Sequence, residues 1–417
     1  MPVPDIPVLA EEDSMLSRKF GREIANYFSG SPLNRLSFLR TDHGFLKSAF
    51  SHPSAAFLLL NNLCPLVQKD PSHLAFATNA DVVPLTGPDP FGKSEEDMIK
   101  DYNSEETHPV ILFLGVDEKN LLPSKVAAAD AFQYKTYRGS PYFAVDITPR
   151  GNYAEAANKL ITGMNERGLS WQDNSPRHQG LHWGQAAMYG QARALLDWNA
   201  RNPFCAQCGQ PTLSVNAGTK RACPPTDIAG GQVRDRKPCA TRGTISNLSF
   251  PRTDPTVIMA VVSADGTKIL LGRQKRWPKY WYSTLAGFQE PGESIEEAVR
   301  REVWEESGVQ LGRVVLHSSQ PWPFPASLMI GAVGQALPGD GEKVYLGNDA
   351  ELEDARWFAF DEVKEALQNG TSSLGEATPE GWKEGALRLP PQTAIANRLM
   401  TAVIEGWCIP ENLPPKI

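Results

Sequence analysis

The chain has 417 residues and a formal net charge of −7, with 41% hydrophobic and 21% charged residues. That length implies two or three compact units rather than one, and the composition is ordinary for a globular protein. A broadly acidic chain excludes bulk electrostatic binding to nucleic acid or anionic membrane, so an anionic substrate needs local compensation from metal ions or a few placed arginines.

The opening stretch, MPVPDIPVLAEEDS, has no basic segment and no long apolar run, which argues against a secretory signal. Apolar runs such as AAFLLL at 55–60 are too short to span a bilayer. The expectation is a soluble, intracellular protein with no membrane partner. Residues 1–170 read as one α/β or α+β unit. Strands are expected at 110–116 (VILFLGV) and 142–147 (YFAVDI), and helices near 53–62 and 153–166. Asp101–Thr107 reads as a loop, and no catalytic constellation stands out, so packing or dimerisation is the plainer role for this region.

Residues 171–248 are expected to hold a connecting helix and a cysteine segment. In WGQAAMYGQARALLDWN (183–199), Met188, Ala192 and Leu195 recur on one helical face, and Pro203 stops the helix. Cys205, Cys208, Cys223 and Cys239 follow within a polar stretch that has too few apolar residues for a core of its own. In an intracellular chain such a cluster favours metal over disulfides. Cys205 and Cys208 form a CxxC, with Gly209 placed for the tight turn of a knuckle; fourteen residues separate Cys208 from Cys223, and fifteen separate Cys223 from Cys239. Four thiolates suit tetrahedral Zn²⁺ and leave no position for a reacting water, so the role would be structural. Cys239 is the weakest member, because the second pair is not a CxxC. A redox CxxC is the rival, but it would open a helix, and PTLSVNAG is not helix-like.

From 249 to 412 the pattern changes. VIMAVV (257–262) and KILLGR (268–273) read as strands joined through an Asp265-Gly266 turn. A helix follows at 294–307, further strands lie around 313–317, 328–336 and 355–360, and a last helix around 392–406. Ser294 is a reasonable N-cap with Glu297 placed for a capping box, and Ile295, Ala298, Val299 and Val303 give the helix its buried side. Glu302, Glu305 and Glu306 lie at i, i+3 and i+4, so they cluster on one face. Three such carboxylates repel unless a cation sits among them, and oxygen-only ligands favour Mg²⁺ or Mn²⁺. Taken alone, an ordinary solvated acidic face is the preferred explanation of the three glutamates.

The frame around them decides otherwise. Gly287, five residues, Glu293, seven residues, Arg301-Glu302, then Val303, Trp304, Glu305-Glu306, Ser307, Gly308 and Val309 satisfy GX5EX7REUXEEXGU. By this long pattern the chain resembles the Nudix hydrolases. Downstream, Ser319-Gln320-Pro321-Trp322-Pro323-Phe324-Pro325-Ala326-Ser327 resembles the SQPWPFPxS signature of the NADH pyrophosphatase subfamily. Read physically, it is a stiff, extended, proline-rich loop carrying two aromatics that can wall a pocket for flat rings.

The resemblance implies an α/β fold: a C-terminal Nudix α/β/α sandwich over 249–412, a zinc knuckle, and an N-terminal α/β or α+β domain. It implies metal-binding Glu302, Glu305 and Glu306, a site-shaping Glu293, and an orienting Arg301. Gln320, Trp322, Phe324 and Ser327 join the substrate site. Phe250, where the subfamily has Tyr in a YPR segment, and Phe288 would sandwich the nicotinamide, with the residue at 250 coming from a partner subunit; this implies a homodimer. Glu351 matches a further metal-contacting glutamate, with Glu353 a nearby competitor.

The implied reaction is hydrolysis of the diphosphate of NADH or NAD⁺ to AMP and nicotinamide mononucleotide. Two alternatives accompany it: removal of an NAD cap from an RNA 5′ end by the same chemistry, and a non-catalytic NAD(H)-binding protein. The last has no physical reason to keep four acids together. The tail Pro415-Lys416-Ile417 is an imperfect match to a peroxisomal tripeptide; a cytoplasmic address is preferred, with the peroxisome second.

Overall fold

A computed structural model describes residues 25–119, 130–173, 180–242, 247–291, 293–348 and 351–406. Gly292, Cys408 and the 413–417 tail therefore lie outside the described residues. The chain divides into two compact units: Gly30–Arg252 with Pro323–Ala326, and Met1–Ser29 with Thr253–Trp322 and Ser327–Ile417.

The first unit is built on a seven-stranded sheet. Its strands are β1 (Ala56–Asn61), β2 (Cys64–Val67), β3 (Phe76–Ala77), β4 (Ile111–Asp117), β5 (Phe132–Tyr134), β6 (Tyr137–Asp146) and β7 (Ser170–Trp171). The main order is β4-β6-β1-β2-β7, with β1 and β6 parallel. Helices α1 (His43–Ser51), α2 (Asn79–Thr86), α3 (Glu95–Lys100), α4 (Ala154–Glu166) and α5 (Trp183–Arg201) accompany it. Asp42 caps α1 by accepting from the Phe45 amide at 3.0 Å. The Phe45, Phe50, Phe57, Phe113 and Phe143 rings fill the core in edge-to-face and stacked pairs.

The expected helix at 53–62 is instead strand β1, which turns through Asn62 and Leu63, both at positive φ, into its antiparallel partner β2. The physical reason is burial on both faces: a run without alternation carries no period, so a central strand and a buried helix read alike. Asn62–Leu63 was the missing punctuation.

The cysteine segment forms two small hairpins, β8 (Leu213–Val215) with β9 (Lys220–Ala222), and β10 (Thr226–Asp227) with β11 (Arg234–Asp235).

The second unit holds a six-stranded sheet of β12 (Asp254–Val262), β13 (Lys268–Arg273), β14 (Leu285–Phe288), β15 (Leu311–Trp322), β16 (Ser327–Ala336) and β17 (Asp354–Ala359). The order is β15-β16-β12-β13-β17, with β14 on β12 and with β12 and β16 parallel. Helices α6 (Ile295–Ser307), α7 (Phe360–Asn369) and α8 (Ile395–Ile404) cover it. Strand alternation puts the helices on both faces. Val257, Met259 and Val261 pack with Ala298, Val299 and Val303 of α6, while Ile258 and Ala260 pack with Ile395, Ala396 and Leu399 of α8. The result is the α/β/α sandwich.

Three differences from expectation concern this unit. Helix α7 and strand β14 were not anticipated. And the proline-rich segment is mostly strand: Ser319–Trp322 end β15, Ser327 opens β16, and only Pro323–Ala326 make the turn. Pro321 is tolerated because β15 is the sheet edge. The described residues at the N-terminal end also belong here rather than with the sheet that follows them: the Asn26 amide donates to Ser318 Oγ at 3.0 Å and to the Ser319 carbonyl at 2.9 Å.

Candidate active site and metal centre

Helix α6 delivers the glutamates because its ends are fixed. Ser294 and Glu297 form a reciprocal capping box, the Ser294 amide donating to Glu297 at 2.7 Å. Gly308 closes the helix in the left-handed conformation at φ 73°. Burial of Ala298, Val299 and Val303 against the sheet sets the rotation of the helix, so residues 302, 305 and 306 have one available direction.

Arg301 gathers the acids. Its Nε donates to Glu293 Oε1 at 2.6 Å, and Nη2 donates to Glu293 Oε2 at 2.9 Å and to the Phe288 carbonyl at 2.8 Å. Nη1 donates to Glu302 Oε1 and Glu305 Oε2, both at 2.8 Å. The hydrogen bond from Arg301 holds the Glu293 carboxyl below its ordinary range, whereas burial pushes Glu302 up despite the same guanidinium. Glu306 is only 6% exposed. Strand β14 ends against this cluster: a Cβ on Gly287 would overlap the Glu302 carboxylate. Carboxylate oxygens, partly desolvated and held by the nitrogens of one guanidinium, are the donor type that suits a hard divalent cation.

Glu353 is an ion-pair partner of Arg273, whereas Glu351 is exposed on the preceding turn. Phe288 is 61% exposed and Phe250 39% exposed, so each presents an aromatic face. Trp322 is half-buried with Phe28 edge-on at 6.3 Å, and Ser327 is buried.

Gln320, expected in the substrate site, faces inward. It is 1% exposed, donates to the Tyr27 and Thr393 carbonyls at 3.0 and 2.8 Å, and accepts from the Ile395 amide at 2.9 Å. This amide caps the first turn of α8, whose own N-cap, Ala394, has no side chain able to do so. With both ends of its amide on the backbone, Gln320 positions the motif strand. Phe324 lies in the turn under Arg193 of α5. That guanidinium sits 4.4 Å from the ring centroid and donates to the Pro323 carbonyl. Arg193 was not anticipated, because a contact across 130 residues leaves no local signal.

The four cysteines converge. Their sulfurs all lie within 4.8 Å of one another, close enough to share one metal ion. Cys205 Sγ is 3.6 Å from Cys239 Sγ, and Cys208 Sγ is 3.6 Å from Cys223 Sγ. A disulfide needs about 2.05 Å, whereas tetrahedral zinc with Zn–S near 2.3 Å separates its sulfurs by about 3.8 Å. The knuckle is tight: the Gly209 amide donates to the Cys205 carbonyl at 2.8 Å, with Gly209 at φ 71°. Burial opposes ionisation of Cys205, but the Cys208 and Gln207 amides and Thr241 outweigh it and bring the thiol down to about 6. Burial pushes Cys223 up to about 12. Arg242, donating to the Cys223 carbonyl at 2.9 Å and to its sulfur at 3.5 Å, supplies compensating charge. The distant Cys239 is thus part of the cluster.

Among the described residues, no helix is long and apolar enough to cross a membrane.

Comparison with known proteins agrees with this architecture. A profile described as NUDIX domain matches residues 252–380, one described as NADH pyrophosphatase-like rudimentary NUDIX domain matches 54–198, and one described as NADH pyrophosphatase zinc ribbon domain matches 200–230, ending before Cys239. An NAD-capped RNA hydrolase of Schizosaccharomyces pombe is 34% identical over 92% of this chain and 94% of its own length. The human NAD-capped RNA hydrolase NUDT12 is 36% identical over 91% of this chain and 73% of its own length. The human mitochondrial NAD(P)H pyrophosphatase NUDT13 is 38% identical over 54% of this chain and 56% of its own. With its N-terminal sheet, its four-cysteine cluster and its carboxylate helix in this order, the chain belongs to the Nudix hydrolase family, in the branch that carries a rudimentary Nudix domain and a zinc ribbon of the NADH pyrophosphatase type.

Proposed function

We propose that this protein hydrolyses the diphosphate bridge of NADH and NAD⁺, yielding AMP and nicotinamide mononucleotide. The observation that carries the reading is the glutamate cluster around Arg301, set beside a strand end that has no side chain at Gly287. Glu302, Glu305 and Glu306, with Glu351, would hold Mg²⁺ or Mn²⁺. Divalent metal in such a site neutralises the diphosphate and lowers the pKa of an attacking water. The protein's own part is positioning and charge. Arg301 fixes the carboxylates in register, and Glu293 keeps Arg301 turned toward them. Phe288 offers its exposed ring to the nicotinamide, and the strand–turn–strand with Trp322 and Phe324 shapes the pocket wall.

The four cysteines would hold Zn²⁺ as a structural ion, since four sulfur ligands leave no place for a substrate. A homodimer in which the partner's aromatic ring at position 250 completes the nicotinamide sandwich is part of this proposal. A cytoplasmic address is preferred, with the peroxisome as the second.

Removal of NAD caps from RNA is the second reading. It is favoured by the names of the full-length relatives and uses the same scissile bond. The experiment is turnover of NADH, NAD-capped RNA and ADP-ribose by one metal-loaded preparation. AMP and reduced nicotinamide mononucleotide in equal amounts from NADH is the expected result. Turnover of ADP-ribose without NADH would overturn the substrate assignment.

A further inference from the structure

We infer that the loop joining β13 to β14 is a binding rim for the RNA backbone of a capped substrate, with Lys275, Arg276 and Lys279 taking phosphates and Tyr280 offering a face to a base. This rests on the second reading above, that the site accepts an NAD-capped RNA.

The charge pattern is local. The chain is acidic overall, with 48 acidic against 41 basic residues, yet no acidic residue occurs from Gly266 to Gln289. In that stretch Arg273, Lys275, Arg276 and Lys279 fall within RQKRWPKY, interleaved with Trp277 and Tyr280. Lys275, Arg276, Lys279 and Tyr280 are exposed. Among the described residues, none of the three exposed cations forms an ion pair with a carboxylate. Cations that face water without acidic partners keep their field for a ligand, and a basic strip alternating with aromatic rings is the combination that tracks a single strand.

The loop is anchored at both ends. Arg273 is the anchor: it pairs with Glu353 and donates to the Trp277 carbonyl at 3.0 Å. The Glu353 amide returns a bond to the Arg273 carbonyl at 2.9 Å. The turn carrying Glu351, a proposed metal contact, is therefore tied to the start of the basic loop. At the other end, Trp277 packs edge-on against Trp281 at 4.8 Å, and the buried Trp281 indole donates to the Ser372 carbonyl at 3.1 Å. Tyr280 is held at φ 66°, with the Arg388 amide donating to its carbonyl at 2.7 Å. A tyrosine in the left-handed region is strained for a residue with a Cβ; its ring has Trp382 at 6.1 Å, and the residue stays 36% exposed. Beyond Trp281 the chain runs through β14 to Gly287 and the Glu302 carboxylate. One continuous segment thus links the cationic strip to the hydrolytic cluster. A free dinucleotide ends at its adenosine, whereas a capped RNA continues from it and needs somewhere for its phosphates.

The test is a triple variant, K275E/R276E/K279E, assayed on NADH and on an NAD-capped RNA of about ten nucleotides. All three positions are exposed, so folding should persist, and an unchanged melting temperature checks it. The expected result is a KM for capped RNA raised at least tenfold, with kcat/KM for NADH within twofold of wild type. The slope of log(kcat/KM) against log salt for capped RNA should also flatten by about 2, as loss of three single-strand phosphate contacts implies. The milder K275Q/R276Q/K279Q variant should fall between, and it replaces the charge-reversed variant if that one melts early. Equal losses on both substrates would overturn the rim, since the loop would then serve the dinucleotide. So would unchanged capped-RNA kinetics, or a wild type that cleaves NADH and ignores capped RNA. A wild type inactive on NADH with either metal would instead overturn the underlying hydrolase reading.

Discussion

The Glu302 carboxylate occupies the space that a side chain on Gly287 would need. Glycine at this position is therefore a requirement of the site rather than of the strand, since β14 pairs regularly with β12 through Gly287 itself. Gly287→Ala should leave the fold intact and displace Glu302 from Arg301. We expect kcat to fall by about 10²-fold, the size associated with one preorganised charged group, with little change in melting temperature. Wild-type kcat in this variant would show that Glu302 need not lie where it does.

Arg193 is expected to act as a positioning residue for the Pro323–Ala326 turn. Arg193 is 7% exposed and burial lowers its pKa, with the carbonyl of Pro323 and the ring of Phe324 as partners. Arg193→Met keeps volume and removes the donors. It should raise KM for NADH about tenfold with a smaller effect on kcat, and Arg193→Lys should recover part of that loss. A fall in melting temperature with KM unchanged in both variants would mark Arg193 as purely structural.

The elements that were legible in the sequence are those with a period or a fixed spacing. Helix α6 announced its cap, its buried side and its carboxylate face, because capping and helical periodicity are local. Strand β1 did not, because burial on both faces erases alternation. Gln320 was visible as part of a motif but not as a buried clamp. Its partners, Tyr27, Thr393 and Ile395, are distant in sequence, and a side-chain amide serves a backbone or a ligand equally well. Arg193 was illegible for the same reason. Cys239 was the doubtful member of its set from spacing alone; the β10–β11 hairpin takes up the extra length and brings it to 3.6 Å from Cys205.

The cysteine cluster makes its own prediction. The wild type should contain one zinc per chain, and Cys239→Ser should lower zinc occupancy and expose the 205–239 segment to proteolysis. Metal analysis with limited proteolysis reads both. Stoichiometric zinc retained in Cys239→Ser, with wild-type resistance, would remove Cys239 from the ligand set.

Stability should depend on pH through His317. Burial, and then the charge of Arg398, push this imidazole down to about 4, whereas it titrates near 6.5 in an unfolded chain. The folded pKa is the lower one, so between these values the unfolded state binds more protons. Stability therefore falls as pH drops from about 6.5 toward 4 and levels off below. After allowance for partial solvent access the loss is roughly 1 kcal/mol. His317→Asn should show a shallower acid limb in urea unfolding over that window; superimposable limbs would contradict the assignment.

The central claim is that the α6 carboxylates perform the hydrolysis. The direct measurement is steady-state NADH cleavage by Glu305→Gln and Glu306→Gln at saturating Mg²⁺ or Mn²⁺, with circular dichroism confirming the fold. The account predicts a loss of kcat of about 10²-fold or more in each, because the amide keeps the shape and removes the charge. Near-normal kcat in both correctly folded variants would contradict it.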